Sequence, residues 1–138
     1  MKESIVGSEF TLEIAVTSDM SAKLDGIEIH PVYSTFWLVY HAEVAARKAI
    51  EPYLLEHEQA AGIGICLDHL AMAAIGETVS ITAKVVQFDQ KRILCAIDAV
   101  VKDTNIVISK GTQSQILTTQ AKINSAIETA YNRLKRSH

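Results

Sequence analysis

Apolar and polar positions alternate at the start of the chain, where Phe10, Leu12, Ile14 and Val16 are interleaved with Thr11, Glu13, Ala15 and Thr17. A period of two of this kind predicts a half-buried strand. A polar, glycine-containing stretch from Ser18 to His30 follows and reads as a connection. Residues 36–50 contain neither glycine nor proline, and Pro52 stops the run by disfavouring helical geometry in the residue before it, so a helix is predicted there. Its polar residues are His41, Glu43, Arg47 and Lys48 alone, which makes it apolar around most of its circumference and predicts burial under a sheet.

The second half supplies that sheet. Apolar-rich runs over 62–72, 78–88, 93–101 and 106–117 are parted by Ile75-Gly76-Glu77, by residues 89–92 and by residues 102–105. Gaps this short predict hairpins and antiparallel neighbours. Beyond Thr119, the residues Ile123, Ala126, Ile127, Ala130, Tyr131 and Leu134 recur at spacings of three and four, predicting an amphipathic helix packed on one side. The order is strand, buried helix, four strands, outer helix. It predicts one α+β domain over residues 1–138, with no repeat, linker or low-complexity tract to divide it.

Three polar residues stand where burial would prefer apolar ones. Glu43 shares a helix face with Phe36, Val39, Tyr40, Ala46 and Ile50; a carboxylate in such a stripe is poorly solvated, as suits a general base. An ordinary ion pair with Arg47 is the alternative. His69 continues the parity of Ile63, Ile65 and Leu67, so its ring is expected on their apolar face, either as a catalyst or as a satisfied core histidine. The opposite parity of Cys66 and Asp68 argues against a Cys66–His69 pair and against Asp68 as the orienter of His69. Thr35, just ahead of the helix, reads as a helix N-cap or as a site residue. Inside the helix it would lie about 12 Å along the axis from Glu43, out of direct contact, so a shared site requires either that Thr35 fold back from a loop or that the groups come from two subunits across a dimer interface. Gly62 and Gly64 permit close backbone approach to a ligand, or mark a plain bulge.

The run from Val32 to Glu43, with Glu51-Pro52-Tyr53-Leu54 and Gly62-Ile63-Gly64-Ile65-Cys66-Leu67-Asp68-His69, resembles the fluoroacetyl-CoA thioesterase-like branch of the hotdog-fold thioesterases over roughly residues 8–120. The resemblance implies an antiparallel sheet wrapped around a long central helix, and sheet-paired homodimers or larger assemblies. It implies hydrolysis of an acyl-CoA with a small or medium acyl group by Thr35, Glu43 and His69, with Gly62, Ile29 and Phe36 against the substrate. Gly62 matches a position near the thioester carbonyl, where its N–H could serve an oxyanion hole. No metal or organic cofactor is implied, CoA being part of the substrate. A non-catalytic hotdog dimer that binds an acyl-CoA or another small apolar ligand is the rival reading, and a hotdog dehydratase a third.

Two departures qualify this expectation. The phenylalanines that form a lid over the fluorinated acyl group are replaced here by Gly26-Ile27-Glu28-Ile29-His30-Pro31. Gln115 stands in a segment, Gly111-Thr112-Gln113-Ser114-Gln115, that ends in arginine in relatives, so a grip on CoA phosphates would fall to Lys84, Lys110 or Lys122.

Composition narrows the partners. A formal net charge of -3 gives no field for polyanions, although Arg133, Lys135 and Arg136 form a small basic cluster, so nucleic acid is not an expected partner. No apolar stretch nears the roughly 20 residues of a membrane span, and the Met1-Lys2-Glu3-Ser4 start does not read as a signal peptide, which predicts a cytoplasmic protein. Cys66 and Cys95 lie in apolar runs without a metal-ligand pattern and are expected to be buried thiols.

Overall fold

A computed structural model describes residues 1–136, apart from the side chain of Glu3. The chain forms β1 (Glu9–Ala15), β2 (Ser21–Leu24), β3 (Ile27–Tyr33), α1 (Thr35–Ile50), β4 (Glu58–His69), β5 (Thr78–Phe88), β6 (Arg92–Val101), β7 (Val107–Thr119) and α2 (Gln120–Arg136). Five strands make one antiparallel sheet in the order β1-β5-β6-β7-β4, while β2 and β3 pair separately. The fold is the hotdog arrangement, in which the sheet curls around α1.

Period-two burial on β5 and β6 builds the inner face. Val79, Ile81, Ala83 and Val85 alternate there with half-exposed or exposed neighbours, as do Ile93, Cys95, Ile97 and Ala99. On α1 the buried stripe is Leu38, His41, Ala42, Ala45, Ala46, Ala49 and Ile50. Its four alanines let the helix axis approach the sheet closely, and large side chains such as Leu38 and Ile50 each contribute about 2 kcal/mol of apolar burial. Within that stripe the Tyr33 hydroxyl lies 2.6 Å from His41 Nδ1, the two rings stacked. Burial holds the His41 ring below its usual protonation range, so this pair is neutral and internal to the core.

Several expectations change. The sheet covers one side of α1, not its whole circumference: Phe36 and Tyr40 are exposed and Glu43 is half-buried. The stretch read as a polar connection contains the β2–β3 hairpin, turned by Asp25 (φ 56°) and Gly26 (φ 75°), the tight-turn geometry that an Asp-Gly pair favours. β4 begins at Glu58 and ends at His69, four residues earlier at its start than its predicted range and three earlier at its end. Cys95 is buried as expected, but Cys66 is exposed because it points outward from the sheet. The helix α2 forms with its apolar stripe intact, yet none of its residues is buried: Ile127, Tyr131 and Leu134 are exposed. Among the described residues no helix is long and apolar enough to cross a membrane.

Candidate active site

The edge strand β4 and the open flank of α1 run alongside each other in opposite directions, and the three polar residues lie along this seam. At one end the Thr35 hydroxyl sits 2.8 Å from His69 Nδ1. This contact exists because Ser34, not Thr35, caps the helix: the Ser34 oxygen accepts the Trp37 N–H at 3.1 Å, a cap of about 1 kcal/mol, which leaves Thr35 as the first helical residue with its hydroxyl free. The amides of Thr35 and Phe36 therefore lie at the positive end of the helix, ahead of its first internal hydrogen bond from Leu38 to Ser34. Desolvation holds His69 below the usual imidazole range, the Ala71 carbonyl opposing it weakly, so the ring is neutral near pH 7 and can accept a proton. Its Nε2 is buried without a hydrogen-bond partner among the described residues.

At the other end, Glu43 Oε1 accepts a 3.1 Å hydrogen bond from the Gln113 amide. Its Oε2 lies over Gly62, so close that a β-carbon on Gly62 would stand 3.1 Å from it. Glu43 makes no ion pair with Arg47. That guanidinium is occupied by Glu51 Oε2 (3.2 Å), the Ala60 carbonyl (3.2 Å) and Gln59 Oε1 (3.3 Å). With Thr35 inside α1, about 12 Å of helix axis separates its Cα from that of Glu43, so within one chain the Thr35–His69 pair and Glu43 lie apart and do not converge.

A bulge brings the two ends of this seam to one face. Gly62 faces Gln115 and Gly64 faces Ser114 on β7, leaving Ile63 unpaired. His69 lies seven positions beyond Gly62, an odd offset, so in a regular strand they would point to opposite faces. The extra residue reverses the parity, and both face α1. The cost falls on Ile63, which is 48 % exposed rather than aligned with Ile65 and Leu67 as the uninterrupted alternation predicts. From Ile65 onward the parity is as read: Asp68 is exposed and points away from His69.

Three recesses surround these groups. Thr35 and His69 open into a cleft of about 320 Å³ lined by Ala22, His30, Val32 and Met72 among others. A second of about 320 Å³, under the β2–β3 hairpin, brings Leu24, Ile29 and Phe36 to Thr35. Glu43 and Gly62 line a third of about 380 Å³ with Arg47 and Lys48. Thus Ile29 and Phe36 fall with Thr35, and Gly62 falls with Glu43. Lys84, Lys110 and Lys122 line none of the three, and Lys110 is 3.8 Å from Asp98. Gln115 is buried, not presented to a phosphate. Sequence reasoning missed His30, Lys48 and Gln113; the Asp-Gly turn could have placed His30 on a strand, whereas nothing in the local pattern marks Gln113. Among the described residues no three His, Cys, Asp or Glu side chains converge on a possible metal position.

The chain is 27 % identical over 134 residues to the fluoroacetyl-CoA thioesterase of Streptantibioticus cattleyicolor, covering 92 % of this chain and 95 % of that one. A solved Thermus thermophilus protein described as a thioesterase superfamily member superposes with a TM-score of 0.93 at 29 % identity, over 99 % of both chains. A point mutant of the fluoroacetyl-CoA-specific thioesterase FlK, solved with fluoroacetate and CoA, gives 0.74 at 27 % identity, over 86 % of this chain and 98 % of that one. A family model for FlK, the fluoroacetyl-CoA-specific thioesterase, matches residues 16–121, a span holding β2 through β7 and all of Thr35, Glu43 and His69, and the chain belongs to that thioesterase family.

Proposed function

We propose that this thioesterase hydrolyses an acyl-CoA with a small or medium acyl group to the free acid and CoA, acting in the cytoplasm as a homodimer whose sites are each built from two protomers. The observation that carries this reading is the pair of half-sites strung along one unpaired edge strand: Thr35 with His69 at one end, Glu43 over Gly62 at the other. An uncovered twelve-residue edge strand is a pairing surface. Antiparallel pairing of β4 with its copy, centred between Ile65 and Cys66, would set Gly62 opposite the partner's His69. Each two-fold pair would then contain two complete sites.

In such a site the acyl group occupies the apolar recess beneath the β2–β3 hairpin, between Ile29 and Phe36. The thioester carbonyl oxygen points at backbone N–H groups, those of Gly62 and the first turn of the other protomer's α1. These donors sit where the oxyanion develops. Glu43 takes a proton from a water whose oxygen adds to the carbonyl carbon. Thr35, hydrogen-bonded to neutral His69, orients that water, and the C–S bond breaks as the proton is delivered to the CoA sulfur. Carboxylate, imidazole and hydroxyl complete this proton account, so no metal or organic cofactor is required and CoA enters only as substrate.

Release of free thiol across a panel of short, branched, aromatic and long acyl-CoAs tests the activity. Saturable binding without turnover of any member would leave a non-catalytic acyl-CoA binder instead. Assembly has its own check: light scattering at micromolar concentration should give twice 15.1 kDa or a multiple, and a strictly monomeric protein would rule out the shared site.

Selectivity follows from the lid. Ile29 and Gly26, with Leu24, offer aliphatic and open surface where aromatic rings would seal the acyl group. Small changes in an apolar pocket shift transition-state binding by about 1–3 kcal/mol, so kcat/KM for fluoroacetyl-CoA should exceed that for acetyl-CoA by roughly 100-fold at most. A ratio far above this would assign the discrimination to another part of the pocket.

A further inference from the structure

We infer that Gln113 and Gln115 form a directional hydrogen-bond chain that positions the Glu43 carboxylate, leaving one oxygen held and the other presented for reaction. The inference rests on the role of Glu43 in the proposed hydrolysis. Both glutamines project from β7 toward α1, two residues apart and so on the same face, and they are 1 % and 3 % exposed. Their ladder neighbours are Ile65 and Cys95 for Gln113, and Ile93 and Gly62 for Gln115. Nothing about sheet pairing calls for amides among such residues. A buried amide left unbonded costs about 1–3 kcal/mol.

The bonds run in one direction. Gln115 Nε2 donates to Gln113 Oε1 at 3.2 Å, and Gln113 Nε2 donates to Glu43 Oε1 at 3.1 Å. The first bond determines what the second can be. An isolated glutamine at position 113 could rotate its amide and set a carbonyl against the carboxylate; with its oxygen engaged by Gln115, only its N–H₂ faces Glu43. One oxygen of Glu43 is thereby fixed, and Oε2 is left over Gly62, beside the third recess. An amide is also a neutral partner. It orients a carboxylate without the ion pair that an arginine would form, and the nearest guanidinium, Arg47, is tied to Glu51, Gln59 and the Ala60 carbonyl. The neutral partner therefore orients Glu43 toward the water that it is to deprotonate without an ion pair competing for its oxygens.

Gln113 and Gln115 are positioning residues, and the test separates positioning from packing. Turnover of acetyl-CoA, or of the best substrate in the panel, is measured for Gln113→Met and Gln115→Leu, each in the parent chain and in Glu43→Gln. Methionine keeps the volume of glutamine and tests the bond, not a cavity. Gln113→Met should lower kcat about tenfold or more with KM within about twofold, since a small misplacement of a catalytic group is costly. Gln115→Leu keeps the donor but unlocks it and should cost severalfold in kcat. In the Glu43→Gln background neither substitution should lower the residual rate further, because the group they position is already gone. Losses of equal size in both backgrounds, or an unchanged kcat in the parent background, would overturn the inference. Should Gln113→Met fail to fold, Gln115→Leu in the two backgrounds decides the matter by the same criterion. An unimpaired Glu43→Gln enzyme would instead remove the catalytic reading of Glu43 itself, and this inference with it.

Discussion

Glu43→Gln should lower acyl-CoA turnover by roughly 100-fold or more, because the amide keeps the shape and the hydrogen bond from Gln113 but cannot take a proton. His69→Ala should do the same by removing the neutral imidazole that pairs with the Thr35 hydroxyl. If the groups act on one transition state, the double variant should lose little beyond the worse single one. Thr35→Ser should keep more activity than Thr35→Ala, since only the former retains the 2.8 Å contact. Mixing inactive Glu43→Gln subunits with inactive His69→Ala subunits adds a readout specific to a site shared between protomers. In a heterodimer one of the two sites receives both intact half-sites, so activity should partly return. Parental turnover by Glu43→Gln would show that the carboxylate is structural.

Gly111→Ala should be the most damaging single substitution of a residue outside the chemistry. Gly111 faces Leu67 across the β4–β7 ladder, and a β-carbon on it would stand 2.0 Å from the Cys66 carbonyl oxygen and 2.8 Å from Leu67 Cα. Both obstacles are backbone, so no side-chain rotation relieves them and the two strands must separate. Overpacking of this kind costs roughly 3 kcal/mol or more, on the order of a 10 °C fall in Tm for a chain of this length. Activity should fall with it, because His69 lies two residues beyond Leu67 on the displaced strand. Gly64→Ala is the matched control: nothing lies within 4 Å of its would-be β-carbon, and its melting temperature should stay near that of the parent. Equal melting temperatures for the two variants would mean that β4 and β7 are held apart in solution.

Much of this arrangement is readable from residue order alone. The strand over 78–88 matches β5 at both ends, since Gly76 and the Asp89-Gln90 turn bound an uninterrupted alternation. The helix is read to within one residue, and the missing residue matters: the sequence Ser34-Thr35 offers two adequate caps, and only the geometry of the chain leaving β3 assigns Ser34. The β2–β3 hairpin was masked by its composition. Lys23, Asp25, Glu28 and His30 make it look like a loop, because a two-stranded arm open to solvent needs no apolar face. The Gln115–Gln113–Glu43 chain joins residues seventy positions apart, and a glutamine in a strand reads as surface until the sheet curls it inward. Packing of α2 was read from its stripe alone, but periodicity records that a helix has an apolar face and not what covers it.

The unpaired Ile63 divides β4 into two segments that are out of phase, with the carboxylate's glycine on one and the imidazole on the other. Activity consequently depends on a counting rule as well as on chemistry. Loss of Ile63 itself would leave Gly62 and His69 six positions apart in a regular strand, both still toward α1, whereas loss of one residue between Ile65 and His69 with the bulge kept would turn the ring toward the opposite side of the sheet while sparing every functional group. Bulge and spacing thus compensate each other, so a length change of one in this strand that leaves the bulge in place is silent in any inventory of the proposed catalytic residues and decisive for whether they meet.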